Sequence, residues 1–325
     1  MNRLTKLPLA LAFGGAMALG ATSAAQADVM ASAVAQLTNF EIHHSGGAIL
    51  DYTTDFSALT FTSTGGYAGT LPGTPGYNAS SSAAPVDLAK TCVGNGCAAW
   101  NAAYGAENSF THLSAPPAGN YSAADQLEAG APIANLPGGF LAPATVSSAA
   151  YAGLTTQNAL SHATATNNLN SSFVFSLAGS GALDFNFDFS VYLQTAVTSD
   201  EKFPGFATAA FQQGFTLTNL SAGGAVVWTI SAPTNINAIS VDTSSLNAPL
   251  PIDVETIYSG SQSFSFTTPV LAAGTLYQLS ARTNANADVQ RIPEPGELAL
   301  LGIGLIGMTL VMARRRNQPK QMGAI

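Results

Sequence analysis

The chain has 325 residues and a formal net charge of −8, with 9% of its residues charged and 47% hydrophobic. Between positions 28 and 291 the only basic residues are Lys90, Lys202, Arg282 and Arg291, so this part is strongly acidic, which argues against nucleic acid or anionic lipid headgroups as partners. Ser, Thr, Asn, Gly and Ala supply most of the remaining surface, and the length suffices for one large or two modest domains with a real core.

The N-terminus carries Arg3 and Lys6, then an apolar run from Leu7 to Ala21, then small residues closing on Ala25-Gln26-Ala27. A positive start, a short apolar centre and an A-x-A site are the parts of a secretory signal peptide, so residues 1–27 are read as one whose helix is removed after Ala27. Asp28 then becomes the mature N-terminus. An N-terminal membrane anchor is the alternative, but the apolar run is short and broken by small residues.

Residues 28–150 are rich in Gly, Ala, Ser and Pro with weak periodicity, and are read as an irregular half of the exported body. Within it Phe40–Ile42, Ala58–Thr62 and Ser109–Leu113 are candidate strands. Ser122–Ala129 is read as a short helix with Ser122 as N-cap and Asp125 as the acid of a capping box. Cys92 and Cys97 bracket Val93-Gly94-Asn95-Gly96; a close pair in an exported chain reads as a disulfide. The spacing is not C-x-x-C and no histidine is near in sequence, which leaves little for a metal or redox pair.

Residues 151–291 carry the clearest pattern, after a linking stretch around 141–165. Phe173, Phe175 and Leu177 alternate with small or polar residues; beyond Gly179-Ser180-Gly181, Leu183, Phe185, Phe187, Phe189 and Val191 alternate with Asp184, Asn186, Asp188 and Ser190. Period two with aromatics on one face predicts two half-buried antiparallel strands joined as a hairpin. Phe211–Leu220 with Ala225–Ile230, and Ser263–Thr267 with Thr275–Thr283, predict two more hairpins. The fold expected is mainly β: an antiparallel β-sandwich, jelly-roll-like, with an irregular N-terminal half. One continuous sandwich and two separate units both remain open.

Chemistry is sparse. His43-His44 point to opposite faces of a strand, His112 and His162 stand alone, and no metal-ligand spacing occurs, so no metal and no cofactor are expected. No nucleophile elbow, H-E-x-x-H or phosphate loop is present, and no catalytic residue is assigned. The best constellation is Asp184, Asn186 and Asp188 on one strand face, suited to calcium or sugar hydroxyls. A plain solvated strand face is the competing reading, since same-face residues are about 7 Å apart. Asp253 with Glu255 form a similar pair. Trp100, Tyr104 and Trp228 are candidate sugar-stacking platforms, with burial in the core as the alternative.

At the C-terminus, Ile292-Pro293-Glu294-Pro295-Gly296-Glu297 leads into an uncharged apolar stretch, Leu298–Ala313, and then Arg314-Arg315-Arg316. Such a helix rises about 24 Å, slightly less than the hydrocarbon core, and its arginine flank stays cytoplasmic, so residues 28–292 face outward. Pro293 and Pro295 hold the junction extended. This order of elements, residues 292–316, resembles the PEP-CTERM sorting signal of Gram-negative bacteria, which membrane-embedded exosortases recognise. Gly296-Glu297 and the polar overhang 317–325 depart from the family's usual pattern. The resemblance covers only the tail. It implies export through the Sec translocon, trimming by signal peptidase, transient anchoring by one transmembrane helix, and cleavage near Pro293-Glu294-Pro295. Release or attachment at the outer surface or in the extracellular matrix follows, commonly beside exopolysaccharide. The function expected is a non-catalytic surface or matrix protein; the alternative is a secreted carbohydrate-binding protein or glycoside hydrolase using the same route.

Overall fold

The computed structural model describes residues 29–47, 49–82, 84–113, 117–131, 143–155, 161–197, 205–231, 239–242 and 254–291. The expected signal cleavage site (Ala25, Ala27, Asp28) and sorting tail (Pro293, Glu294, Pro295, Arg314, Arg315, Arg316) lie outside them. Among the described residues no helix is long and apolar enough to cross a membrane.

The elements in chain order are β1 (Val29–His44), β2 (Phe56–Thr70), β3 (Tyr77–Ser81), β4 (Asp87–Val93), α1 (Cys97–Tyr104), β5 (Tyr121–Ala129), β6 (Ala144–Leu154) and β7 (Ser161–Leu177). They continue with β8 (Leu183–Val197), β9 (Gly205–Asn219), β10 (Ala225–Ser231), β11 (Ile239–Asp242), β12 (Val254–Thr267) and β13 (Leu276–Arg291). Two antiparallel sheets form a β-sandwich: one in the order β12-β8-β1-β6-β5-β4, the other β10-β9-β13-β7-β2-β3 with β11 beside β9. Strands from before and after residue 150 interleave; β1, for example, lies between β6 and β8. The N-terminal half is therefore not irregular, and the supposed link 141–165 supplies β6 and the start of β7.

Alternation assigns faces correctly but not partners. The β9–β10 hairpin forms, with Ala225 opposite Asn219 across a short 3-10 turn. The other two expected hairpins do not. β7 pairs with β13 and β2, whereas β8 pairs with β1 and β12 in the opposite sheet. β12 and β13 are likewise split between the sheets. The Gly179–Gly181 and Pro269–Gly274 segments thus carry the chain across the sandwich, so that the two aromatic faces meet instead of lying side by side.

Ser122–Ala129 is also strand, not helix, paired with β4 on one side and β6 on the other. Both its faces are covered, Tyr121 through Gln126 all being buried, so no polar–apolar alternation marks it. Ser109–Leu113 is not a strand; it is coil, with Asn108 and Phe110 at φ 59° and 45°.

The core between the sheets grades from phenylalanine to alanine. At one end Phe40 stacks on Phe215 at 5.7 Å and Phe185 at 6.2 Å, and Phe187 packs on Phe215 at 5.2 Å. Toward the other end Ala31, Ala33, Ala150, Ala152, Ala165 and Ala209 face inward, all fully buried. At interior packing density, facing alanines hold two sheets closer than facing phenylalanines do. In β1 the inward set shifts from odd positions (Ala31 to Leu37) to even ones (Phe40, Ile42). A bulge at Thr38–Asn39 makes the switch, seen as a register break against both β6 and β8.

A second apolar cluster covers the outer side of β5 and β6. There α1 presses Trp100 and Tyr104 onto Tyr151, with Met30, Phe110 and Leu113 around them. The Cys92–Cys97 disulfide, as expected, ties α1 to β4 across a Cα–Cα distance of 5.7 Å. Gly94, at φ 118°, allows this tether: a Cβ there would lie 2.1 Å from the carbonyl oxygen of Asn120.

Candidate functional site

The outer face of the β12-β8-β1 end of the first sheet collects the polar residues that alternation predicts. Along β8, Asp184, Asn186, Asp188, Ser190 and Tyr192 share that face. Opposite them β12 sets Thr267, Ser265, Ser263, Ser261 and Ser259 in register. On the other side β1 sets His43 against Asp184, Glu41 against Asn186, Thr38 against Asp188 and Gln36 against Ser190. The result is a ladder of hydroxyls, amides and carboxylates three strands wide. None of the three strands carries a lysine or arginine.

The carboxylates are individually satisfied. Asp184 accepts from Thr267 Oγ1 at 2.5 Å and from the Gly46 backbone N–H at 2.9 Å. Asp188 accepts from Ser263 Oγ at 2.6 Å and from Asn39 Nδ2 at 2.7 Å. The hydroxyl donors, with these further donors, hold both carboxyl pKa values below the usual range because they favour the charged form. Among the described residues no group of three or more His, Cys, Asp or Glu is placed to hold a metal ion. His43 instead meets Glu41 at 3.0 Å, His44 meets Asp55 at 3.1 Å, and His162 meets Asp288 at 2.8 Å.

At its Tyr192 end the ladder runs into a wall. The coil after α1 crosses the sheet and lays the exposed His112 ring on Tyr192, centroids 4.5 Å apart and planes 30° from parallel. Tyr151 anchors that coil from beneath by donating its hydroxyl to the Thr111 carbonyl at 2.7 Å. Between wall and strands lies a groove of about 350 Å³, its lining including Gln36, His112, Ser190, Tyr192, Ser259 and Ser261. Stacking rings beside hydroxyls and an amide suit a ligand that offers both apolar C–H faces and hydroxyl groups.

The structure separates the other candidates from this site. Trp100 and Tyr104 are 0% and 1% exposed and are core under α1, not stacking platforms. Trp228 is half-buried, stacked on Phe185 at 5.7 Å and edge-on to Phe266. Asp253 lies outside the described residues, as does the side chain of Glu255. His112 was singled out in the sequence only as an isolated histidine; because it sits in coil, no periodicity connects it with Tyr192.

A comparison with protein-family models finds no match, and a comparison with curated proteins finds none either.

Proposed function

We propose that the chain is an exported surface or extracellular-matrix protein, non-catalytic and associated with exopolysaccharide, which an exosortase delivers by its PEP-CTERM-like tail. The observation that carries this reading is the ordered tail Pro293-Glu294-Pro295, apolar stretch and Arg314–Arg316 in one chain with the Ala25-Gln26-Ala27 cleavage site. Two structural features support it. The Cys92–Cys97 disulfide suits an oxidising compartment outside the cytoplasm. β13 ends at Arg291, one residue before the tail, so cleavage near Pro293-Glu294-Pro295 leaves the sandwich whole. On this reading the sandwich is of jelly-roll type, in keeping with the crossings β6 to β7 to β8 to β9 and β12 to β13, and such a fold needs no catalytic apparatus to serve as a matrix building block.

The test compares the intact chain with one carrying alanine at Pro293, Glu294 and Pro295, both followed to their final location and C-terminal mass. The intact chain is expected to lose its tail and reach the outer surface or medium, while the variant stays in the inner membrane. Identical location and identical C-termini would overturn the sorting role.

A further inference from the structure

We propose that the groove between His112–Tyr192 and the outer face of β12-β8-β1 binds a short segment of a neutral polysaccharide. Three independent features point to this ligand class.

The first is the stacked pair itself. An exposed histidine laid over a half-buried tyrosine forms the aromatic side of a cleft, and a pyranose ring has apolar C–H faces that stack on such a surface.

The second is the opposite lining. Ser190, Ser259 and Ser261 each donate and accept, and the Gln36 amide does both with separate atoms, which matches sugar hydroxyls that must also donate and accept. Val34, Phe110 and Val191 also belong to the lining, so apolar and hydrogen-bonding surface lie side by side, as the C–H faces and hydroxyls of a sugar require.

The third is charge. β1, β8 and β12 carry no lysine or arginine, and Glu41, Asp184 and Asp188 share the face, so a uronate or phosphate would meet like charge with no lysine or arginine on these strands to offset it.

Size narrows the ligand further. The groove's volume of about 350 Å³ is near the lower bound of small-molecule sites, so it takes one or two rings and not a long stretch. The ladder running from Ser190 to Asp184 continues in line with it, giving the rest of a polymer a hydrogen-bonding track. The inference rests on the matrix reading for the expectation that such polymers surround the protein, but binding is read separately from sorting.

The experiment runs the full chain, in detergent, through native gels cast with laminarin, hydroxyethyl cellulose, dextran or galactomannan, and with polygalacturonate as the anionic arm. At least one neutral polymer is expected to retard it. His112→Ala should weaken retardation about tenfold, the scale of one lost ring stack. Ser261→Trp, on the exposed edge strand, fills the groove and should abolish it. Gln212→Trp, exposed on the second sheet, should leave it unchanged, with melting curves confirming that each variant folds. The inference is overturned if no neutral polymer retards the chain, if Ser261→Trp and Gln212→Trp behave alike, or if polygalacturonate binds more tightly. Capture of denatured casein but of no polysaccharide would assign the groove to peptide and equally overturn it. A mis-sorted chain that still binds defeats only the sorting reading; a correctly sorted chain that binds nothing defeats only the groove.

Discussion

Asn39, held at φ 55° by the β1 bulge, donates its Nδ2–H to Asp188 Oδ2 at 2.7 Å, joining an irregularity of the backbone to the polar ladder on β8. The bulge that returns Phe40 to the core thus also positions a donor outside it. Asn is among the few residues that adopt the left-handed region readily. Asn39→Gly keeps the backbone and deletes the donor; Asn39→Ala deletes the donor and adds strain. In both, the Asp188 carboxyl should titrate closer to its ordinary value, because a hydrogen bond to its charged form is lost. The alanine variant should be less stable than the glycine variant by about 1 kcal/mol. Carboxyl-detected NMR titration and urea unfolding measure the two effects; equal stability of the variants would remove the strain argument.

Phe187 is the hub of the phenylalanine end of the core, with ring centroids 5.2 Å from Phe215, 5.3 Å from Phe264 and 6.0 Å from Phe266. Those neighbours come from both sheets, so no single strand movement closes the gap left by truncation. Phe187→Ala should cost about 3–5 kcal/mol in urea unfolding, with Phe187→Leu costing clearly less. A loss under about 1 kcal/mol would mean that the sheets collapse onto the site after all.

The Cys92–Cys97 bridge closes a short loop, with a sequence separation of 5, and so removes little entropy from the unfolded chain. Replacing both cysteines by serine should cost about 2 kcal/mol, the low end for disulfides. The structural effect should be local. α1 has no side-chain cap at its N-terminus and no acidic residue in its first turn, so its first turn depends on the tether and on Trp100. Trp100 emission should shift to the red at temperatures where the far-ultraviolet strand signal is still native. Loss of both signals together would show that α1 is held by packing alone.

How much of this was legible in the sequence divides along a physical line. Alternation places Phe185, Phe187 and Phe189 inward and Asp184, Asn186 and Asp188 outward, because side-chain direction has a period of two whatever the strand's neighbours are. It does not choose those neighbours. A hairpin and a crossing between sheets both bury the aromatic faces of β7 and β8, and the Gly179–Gly181 segment suits either. In β5 even the faces were hidden, since Tyr121, Ala123 and Asp125 lie beneath α1 while Ser122, Ala124 and Gln126 face the other sheet. With both sides buried, polar residues there mark hydrogen bonds and not solvent. The Gln126 amide reaches Asn167 Oδ1 at 2.5 Å and the Asn168 carbonyl at 2.9 Å inside the sandwich. The groove was the least visible feature: one wall is a coil whose left-handed Asn108 and Phe110 follow no repeat.

Asp125 supplies the last prediction. It is fully buried beneath α1, where its Oδ2 accepts from the Tyr104 hydroxyl at 2.5 Å and the Asn108 backbone N–H at 2.9 Å. Its Oδ1 has no hydrogen-bond partner among the described residues. Burial raises its carboxyl pKa above the ordinary 3.8, with hydrogen bonds from Tyr104 and from the Asn108 and Gln126 backbones offsetting part of the rise. Between the ordinary value and the raised one, the folded chain holds the extra proton. Stability therefore falls as pH rises through that window; the cost is absent below the window and complete above it. Asp184 and Asp188 act in the opposite sense, because their lowered values make stability fall as pH drops through them. The difference between the wild-type chain and Asp125→Asn isolates the Asp125 contribution, since the amide keeps an acceptor for Tyr104 or Asn108 but does not titrate. From about pH 7 to about pH 4, the wild-type Tm should improve relative to that of Asp125→Asn. A gap that does not change with pH would mean that the carboxyl titrates alike in the folded and unfolded chain, and that its burial beneath α1 does not disfavour the charged form.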